Sequence, residues 1–174
     1  MSETLTLAFS RSNTAGFSFD ALYRESAADV HAYAWSLLHD RAAAEDVTAL
    51  AFERAYRRRG KFDPDRGSAR SWLFGIARNA ALDELRRRKR VATLAFDPAA
   101  GPEPLVGEED GDPDRRVSVR AALQQLEPRE RELIALKFHA GLSNAEIGEL
   151  VGVSESNAGT KVHRAVTKLR KACA

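Results

Sequence analysis

The sequence predicts an all-α protein of two small helical domains joined by a flexible acidic linker, and three observations carry that reading. Apolar residues recur at helical spacing on both sides of the chain's middle, with no alternating strand pattern of useful length. Residues 97–114, "DPAAGPEPLVGEEDGDPD", hold four prolines, three glycines and seven acids with no base, so they lack the apolar surface to fold alone. Near the end, "NAEIGELVGVSESNAGTKVHR" reads as two short helices pinched around Gly152. The organisation that follows is a loose tail over 1–18, a helical domain over 19–96, a linker over 97–114 and a second helical domain over 115–174.

In the first domain Phe19, Leu22, Tyr23, Val30, Tyr33, Ala34, Leu37 and Leu38 predict a helix over about 19–39, with Asp20 as its N-cap. A second helix runs from about Ala42 to Arg59 with Val47, Leu50, Ala51, Ala55 and Tyr56 along its stripe, and Gly60 follows as a stop. "KFDPDRG" is a turn-rich loop. Ser68 then caps a third helix, in which Trp72, Leu73, Ile76, Ala80 and Leu85 fall largely on one side.

Beyond the linker, "RRVSVRAALQQL" and "PRERELIALKFHAG" give two helices, the latter opened by Pro128 and closed by Gly141. Ser143 caps "NAEIGELV" and Ser154 caps a final helix to about Lys171. A helix-turn-helix needs a small residue where its helices cross, a glycine in the turn and apolar residues that lock the pair. Gly148, Gly152, Ile147, Val151, Val153 and Ala158 meet those needs. The final helix buries Ala158, Val162, Ala165, Val166 and Leu169 and turns Ser156, Asn157, Thr160, Lys161, Arg164 and Lys168 outward, a polar and basic face suited to duplex DNA. Gly159 on this helix costs about 1 kcal/mol relative to alanine. Either the backbone approaches DNA closely there, or the position simply faces solvent.

The net charge of +2 conceals strong segregation. From Arg54 to Arg90 there are 13 Arg or Lys against 4 Asp or Glu, which points to a polyanionic partner. In this basic stretch Phe62, Trp72 and Phe74 accompany the run "RRRKR" at 86–90, the combination that holds single strands by stacking bases and following phosphates. Packing in the core is the other reading for Trp72 and Phe74. A single cysteine, Cys173, excludes an internal disulfide and a multi-cysteine zinc site. The four histidines are scattered, and no carboxylate cluster, phosphate-binding glycine loop or paired nucleophile emerges. The chain is thus expected to be no enzyme and to use no cofactor or metal. With no secretory signal and no long apolar run, it is expected in the cytoplasm without membrane insertion.

"AEDVTALAFERAYRRRGKFDPDRGSARSWLFGIARNAALDELRRRKR" followed by "LEPRERELIALKFHAGLSNAEIGELVGVSESNAGTKVHRAVTKLRK" resembles the extracytoplasmic-function (ECF) sigma factors of the sigma-70 family. The likeness covers 19–96 and 115–171. It implies a sigma2-like bundle, a linker that threads the polymerase cleft, and a sigma4-like helix-turn-helix domain. The partners implied are bacterial core RNA polymerase, promoter DNA as duplex and melted single strand, and an anti-sigma factor. By this resemblance Glu45, Asp46, Phe52, Glu53 and Arg54 face the polymerase clamp helices. Phe62, Arg66, Ser68, Arg70, Trp72, Arg78, Asn79, Arg86 and Arg87 take the melted minus-ten strand, with Phe62 and Asn79 matching positions of a pocket for a flipped base. Ser156, Asn157, Thr160, Lys161, His163, Arg164 and Lys168 meet the minus-thirty-five duplex. Two departures stand out: Gly159 where relatives commonly carry a basic residue, and Ala49 and Leu50 where they often carry glutamine and glutamate. The main rival is a stand-alone helix-turn-helix regulator, against which the basic, aromatic first half argues.

Overall fold

A computed structural model of the chain describes residues 17–95, 119 and 121–173. Among these residues the regular structure is entirely helical. The expectations of a tail over 1–16 and of the linker over 97–114 lie outside them. Helices α1 (Phe19–Leu38), α2 (Arg41–Arg58) and α3 (Ala69–Ala95) precede the linker, and α4 (Pro128–Phe138), α5 (Asn144–Val151) and α6 (Glu155–Cys173) follow it. A short helical stretch over 121–124 leads into α4.

Local chemistry sets most boundaries. The N-cap of α1 is Ser18, whose hydroxyl accepts from the Ala21 amide at 3.3 Å, rather than Asp20. Asp20 lies in the first turn, where it pairs with Arg24 one turn on. At the other end His39 adopts the left-handed conformation (φ 52°, ψ 31°), and its amide donates to the Trp35 carbonyl. Asp40 then caps α2 through the Ala43 amide at 3.0 Å. Its carboxyl sits below the usual range, chiefly because of that backbone bond, which with Arg88 outweighs burial. Gly60 does not stop α2: the chain tightens into a 3-10 turn over Arg59–Lys61 that includes it. Ser68 caps α3 through the Ser71 amide at 3.1 Å.

Helix α4 opens with Pro128 and a capping box between Glu127 and Glu130, and ends before Gly141 at φ +66°. Helix α5 has a capping box from Ser143 and Glu146, and ends at Gly152 in the left-handed region. Ser154 caps α6 through the Asn157 amide at 3.2 Å. Gly148 is where α5 meets the turn: a Cβ there would lie 2.7 Å from the Val153 carbonyl oxygen. The tight hairpin requires its absence.

The first three helices pack on one another around Val30, Tyr33, Ala51, Phe52, Leu73 and Phe74, all buried. The last three enclose Leu136, Ile147, Ala158 and Val162. These side chains form one continuous apolar cluster, so the two helical groups are packed together. Gly75 of α3 allows the contact: Leu150 of α5 comes within 3.1 Å of where its Cβ would stand.

Candidate nucleic-acid interface

The outward face of α6 is built as the sequence demands. Ser156, Asn157, Thr160, Lys161, His163, Arg164 and Lys168 are exposed, while Ala158, Val162 and Ala165 are buried beneath them. Two of these side chains have internal partners. The Thr160 hydroxyl donates to the Ser156 carbonyl at 3.0 Å, and the Lys168 ammonium is bonded to Glu130 of α4, which holds that carboxyl below its ordinary value. Lys161 and Arg164 remain exposed cations at the centre of the face.

Gly159 acquires a structural reason. A Cβ there would lie 3.0 Å from Asn144 Nδ2, so the glycine makes room for the Asn144 amide from the start of α5. Asn144 Oδ1 in turn accepts from Lys137 Nζ at 3.2 Å, and the same ammonium reaches the Leu142 carbonyl at 3.3 Å. Lys137 and Asn144, which sequence reasoning passed over, thus add an amine and an amide beside α6. Their only signal in the sequence was Gly159 itself.

In the first helical group, Phe62 and Trp72 come together with rings 5.5 Å apart. Phe17 closes a three-ring cluster, 4.9 Å from Phe62 and 6.0 Å from Trp72. Both predicted aromatics are half-buried and edge-packed, whereas Phe74 is fully buried against Tyr33 and belongs to the core. Asn79 is exposed seven positions beyond Trp72 on α3, about 10 Å along the axis, and is not part of the ring cluster. Arg66 is exposed in the loop.

Three members of the predicted strand-binding set point instead at the last three helices. Ser68 Oγ donates to Glu146 Oε1 at 2.7 Å. Burial pushes the Glu146 carboxyl up, but bonds from Ser68, Ser143 and Ser71 together bring it below its ordinary value. Arg70 donates to the Ala140 and His139 carbonyls at 2.5 and 3.2 Å and to Asp29 of α1 at 2.6 Å. Arg78 donates to Glu132 Oε1 at 2.6 Å. The Tyr33 hydroxyl lies 3.5 Å from the same oxygen, and burial, reinforced by the Glu132 charge, raises its pKa well above the ordinary tyrosine value. Arg131 of α4 also meets His39 Nε2 at 2.5 Å; burial and the guanidinium lower that imidazole's affinity for a proton.

The basic end of α3 is less bare than its sequence suggests. Arg86 pairs with Asp83 at 3.1 Å, Arg87 with Glu84 at 2.7 Å, and Arg88 with both Glu84 and Asp40 at 2.8 and 2.7 Å. Glu84 is held at about 2, chiefly by the Arg87 hydrogen bond, which together with Arg88 outweighs the upward push of burial.

Along α2, Glu45, Asp46 and Glu53 are exposed and Arg54 is half-buried, bridging to Asp83 at 3.7 Å. Phe52 differs from the expectation of an outward contact. It is 6% exposed and packs its ring edge-on with Phe19 and Tyr23, so it supports the helix from within. Ala49 is exposed, and Leu50 lines a groove between α2 and the end of α3 together with Asp46, Val47 and Arg87. Among the described residues no group of three or more His, Cys, Asp or Glu could hold a metal, and no helix is long and apolar enough to cross a membrane.

Comparison with known proteins bears on both helical groups. Residues 22–91 match the family model for sigma-70 region 2, and residues 116–169 match that for sigma-70 region 4. The RNA polymerase sigma factor CarQ of Myxococcus xanthus is 34% identical over 154 residues, covering 88% of this chain and 88% of CarQ. The ECF RNA polymerase sigma factor SigL of Mycobacterium tuberculosis is 34% identical over 151 residues, covering 86% and 85%. Among solved structures, the sigma factor RpoE in complex with the anti-sigma factor NepR from Bartonella quintana superposes with a TM-score of 0.77 at 23% identity, over 88% of this chain and 95% of that one. CnrH in complex with the cytosolic domain of CnrY gives 0.63 at 27% identity, over 88% and 86%.

Proposed function

The chain belongs to the ECF group of the sigma-70 family of RNA polymerase sigma factors, and from that membership we propose which of its side chains meet which partner. As a sigma factor it binds bacterial core RNA polymerase, recognises the minus-thirty-five and minus-ten promoter elements and promotes melting and initiation. It acts in the cytoplasm as a binding subunit, without a catalytic site of its own.

The observation that carries the residue assignment is the face of α6. Exposed Ser156, Asn157, Lys161, His163 and Arg164 lie over a buried apolar side, on a helix fixed by the hairpin at Gly148 and Gly152. This helix enters the major groove of the minus-thirty-five element, with Lys161 and Arg164 on phosphate or guanine and Asn157 within reach of a base edge. Thr160 and Lys168 flank it, and Lys137 with Asn144 grips the adjoining backbone. Region 2, residues 19–96, takes the melted minus-ten strand. Phe62 and Trp72 offer rings, Asn79 a base-edge amide, and Arg66, Ser68, Arg70, Arg78, Arg86 and Arg87 line the phosphate path. Glu45, Asp46, Glu53 and Arg54 face the polymerase clamp beside the groove at Leu50, and Phe52 supports them from the core. The acidic linker, 97–114, joins the two halves across the enzyme.

A protein that clasps both helical groups, an anti-sigma factor, would withhold the chain from polymerase. RpoE is solved in complex with the anti-sigma factor NepR and CnrH in complex with the cytosolic domain of CnrY, and the shared architecture supports such a partner for this chain. Footprinting of the reconstituted holoenzyme on a promoter tests the assignment. Arg164→Ala should erase upstream protection while leaving polymerase binding intact, and Asn79→Ala should impair melting while keeping the upstream footprint. Identical footprints for both variants and the parent would refute the placement.

A further inference from the structure

Gly159 is the only residue of α6 without a side chain, and what lies over it comes from α5. Asn144 Nδ2 stands 3.0 Å, and Cγ 3.6 Å, from where a Cβ of Gly159 would be. The amide therefore lies against bare helix. Ser156 and His163, one turn to either side of Gly159, are exposed.

The orientation of this amide is fixed from α4. Lys137 Nζ lies 3.2 Å from Asn144 Oδ1 and 3.3 Å from the Leu142 carbonyl oxygen. An ammonium can only donate, so the end of the amide turned to it must be the oxygen, and the NH2 group is the end turned to α6. Among the described residues no acceptor is paired with that NH2 group, although Asn144 is half-buried. A held, half-sheltered donor of this kind is completed by an acceptor from outside the chain.

We propose that Asn144 takes the place of the side chain missing at position 159: Lys137 turns its amide, Gly159 leaves it room, and Nδ2 donates to a phosphate oxygen of the minus-thirty-five duplex. This rests on the reading of α6 as the helix in the major groove, and it divides the roles of the pair, Asn144 touching DNA and Lys137 acting as a positioning residue. The choice of phosphate over a base follows from the amide's orientation. Reading adenine takes both ends of an asparagine amide on one base, and here Oδ1 is turned away to Lys137. A phosphate oxygen needs a donor alone. The start of the first helix of a helix-turn-helix, where Asn144 stands, is also the part that crosses the DNA backbone. An uncharged donor releases no counterion, so this share of the affinity is insensitive to salt, unlike the share a basic residue at 159 would supply.

The test uses core RNA polymerase reconstituted with the full chain, and a fluorescein-labelled duplex spanning the upstream element of a promoter mapped by run-off transcription, read by anisotropy over a range of salt. Asn144→Ala should weaken binding roughly tenfold, the loss of one hydrogen bond to a charged group, with the salt slope unchanged. Asn144→Asp keeps a partner for Lys137 but replaces the donor with an acceptor. It should bind at least as weakly as Asn144→Ala while melting no lower than the parent. Lys137→Met frees the amide and Gly159→Ala crowds it. Each should weaken binding in the parent and add no further loss to Asn144→Ala. A duplex with the upstream element scrambled should show the same factor for Asn144→Ala, because a phosphate contact carries no sequence information. Parent-like binding by Asn144→Asp, additive losses in the double variants, or a loss confined to the unscrambled element overturns the assignment. Arg164→Ala on the same duplex separates the two levels: if it changes neither affinity nor slope, the placement of α6 has failed, and if it lowers both while Asn144→Asp stays parent-like, only the role of Asn144 has.

Discussion

A methyl group added at Gly148 would stand 2.7 Å from the Val153 carbonyl oxygen and 3.3 Å from the Glu155 amide, atoms of backbone that cannot retreat without opening the turn. Gly148→Ala should therefore cost about 1–3 kcal/mol, in the range of overpacked sites. Chemical denaturation measures it, and a neutral result would mean that the hairpin is looser than described. The same change at Gly159 meets only the end of the Asn144 side chain, which is partly exposed and can rotate. Gly159→Ala should raise stability by up to about 1 kcal/mol through helix propensity. Gly159→Arg should restore a cation on the recognition face and steepen the salt dependence of duplex binding by about 0.9 per phosphate gained. Arg164→Ala should reduce that slope by a similar amount, and a slope unchanged in both variants would place the DNA elsewhere.

At the scale of elements, α3 shows how a basic run becomes a structural device. Arg88 is 32% exposed and reaches Asp40 at 2.7 Å and the Leu38 carbonyl at 3.2 Å, which ties the end of α3 to the corner between α1 and α2. Arg87 is 60% exposed and bonds within its own helix to Glu84. Arg88→Ala should thus cost roughly 1.5–3 kcal/mol, while Arg87→Ala should cost under about 1 kcal/mol. Equal losses in urea denaturation would remove the distinction. Glu84, held at about 2, adds a pH signature. Because its folded value is depressed, its contribution is complete above the ordinary glutamate range near 4.3 and is lost as pH falls toward 2. Glu84→Gln should accordingly flatten the decline in stability across that window, measured as urea midpoints at successive pH values. A decline as steep as the parent's would assign it to other carboxylates.

For the whole molecule, the legible parts were those governed by short-range rules. Apolar spacing placed all three helices before the linker, and Ser68, Pro128, Ser143, Gly152 and Ser154 marked boundaries because caps and left-handed turns depend on neighbouring atoms alone. Asp20 misled because Ser18, two positions earlier, offered an equally good cap, and Gly60 misled because a 3-10 turn does not need a left-handed residue. Phe52 could not be separated from its exposed neighbours on α2 until the rings of Phe19 and Tyr23 were in place. The contacts of Arg70 and Arg78 were hidden for a different reason. Their partners Ala140 and Glu132 lie 70 and 54 positions away, beyond any periodicity, and a dense basic segment reads the same whether its cations face DNA or another helix.

The most direct test of the central claim, that this chain selects promoters as a polymerase subunit, is run-off transcription with purified bacterial core RNA polymerase on a fragmented genomic library, with and without the protein, followed by sequencing of the transcript starts. New starts that share two upstream elements at fixed spacing are the predicted result. An unchanged set of starts, together with duplex binding by the protein alone, would contradict the account and identify a regulator that acts without joining the polymerase.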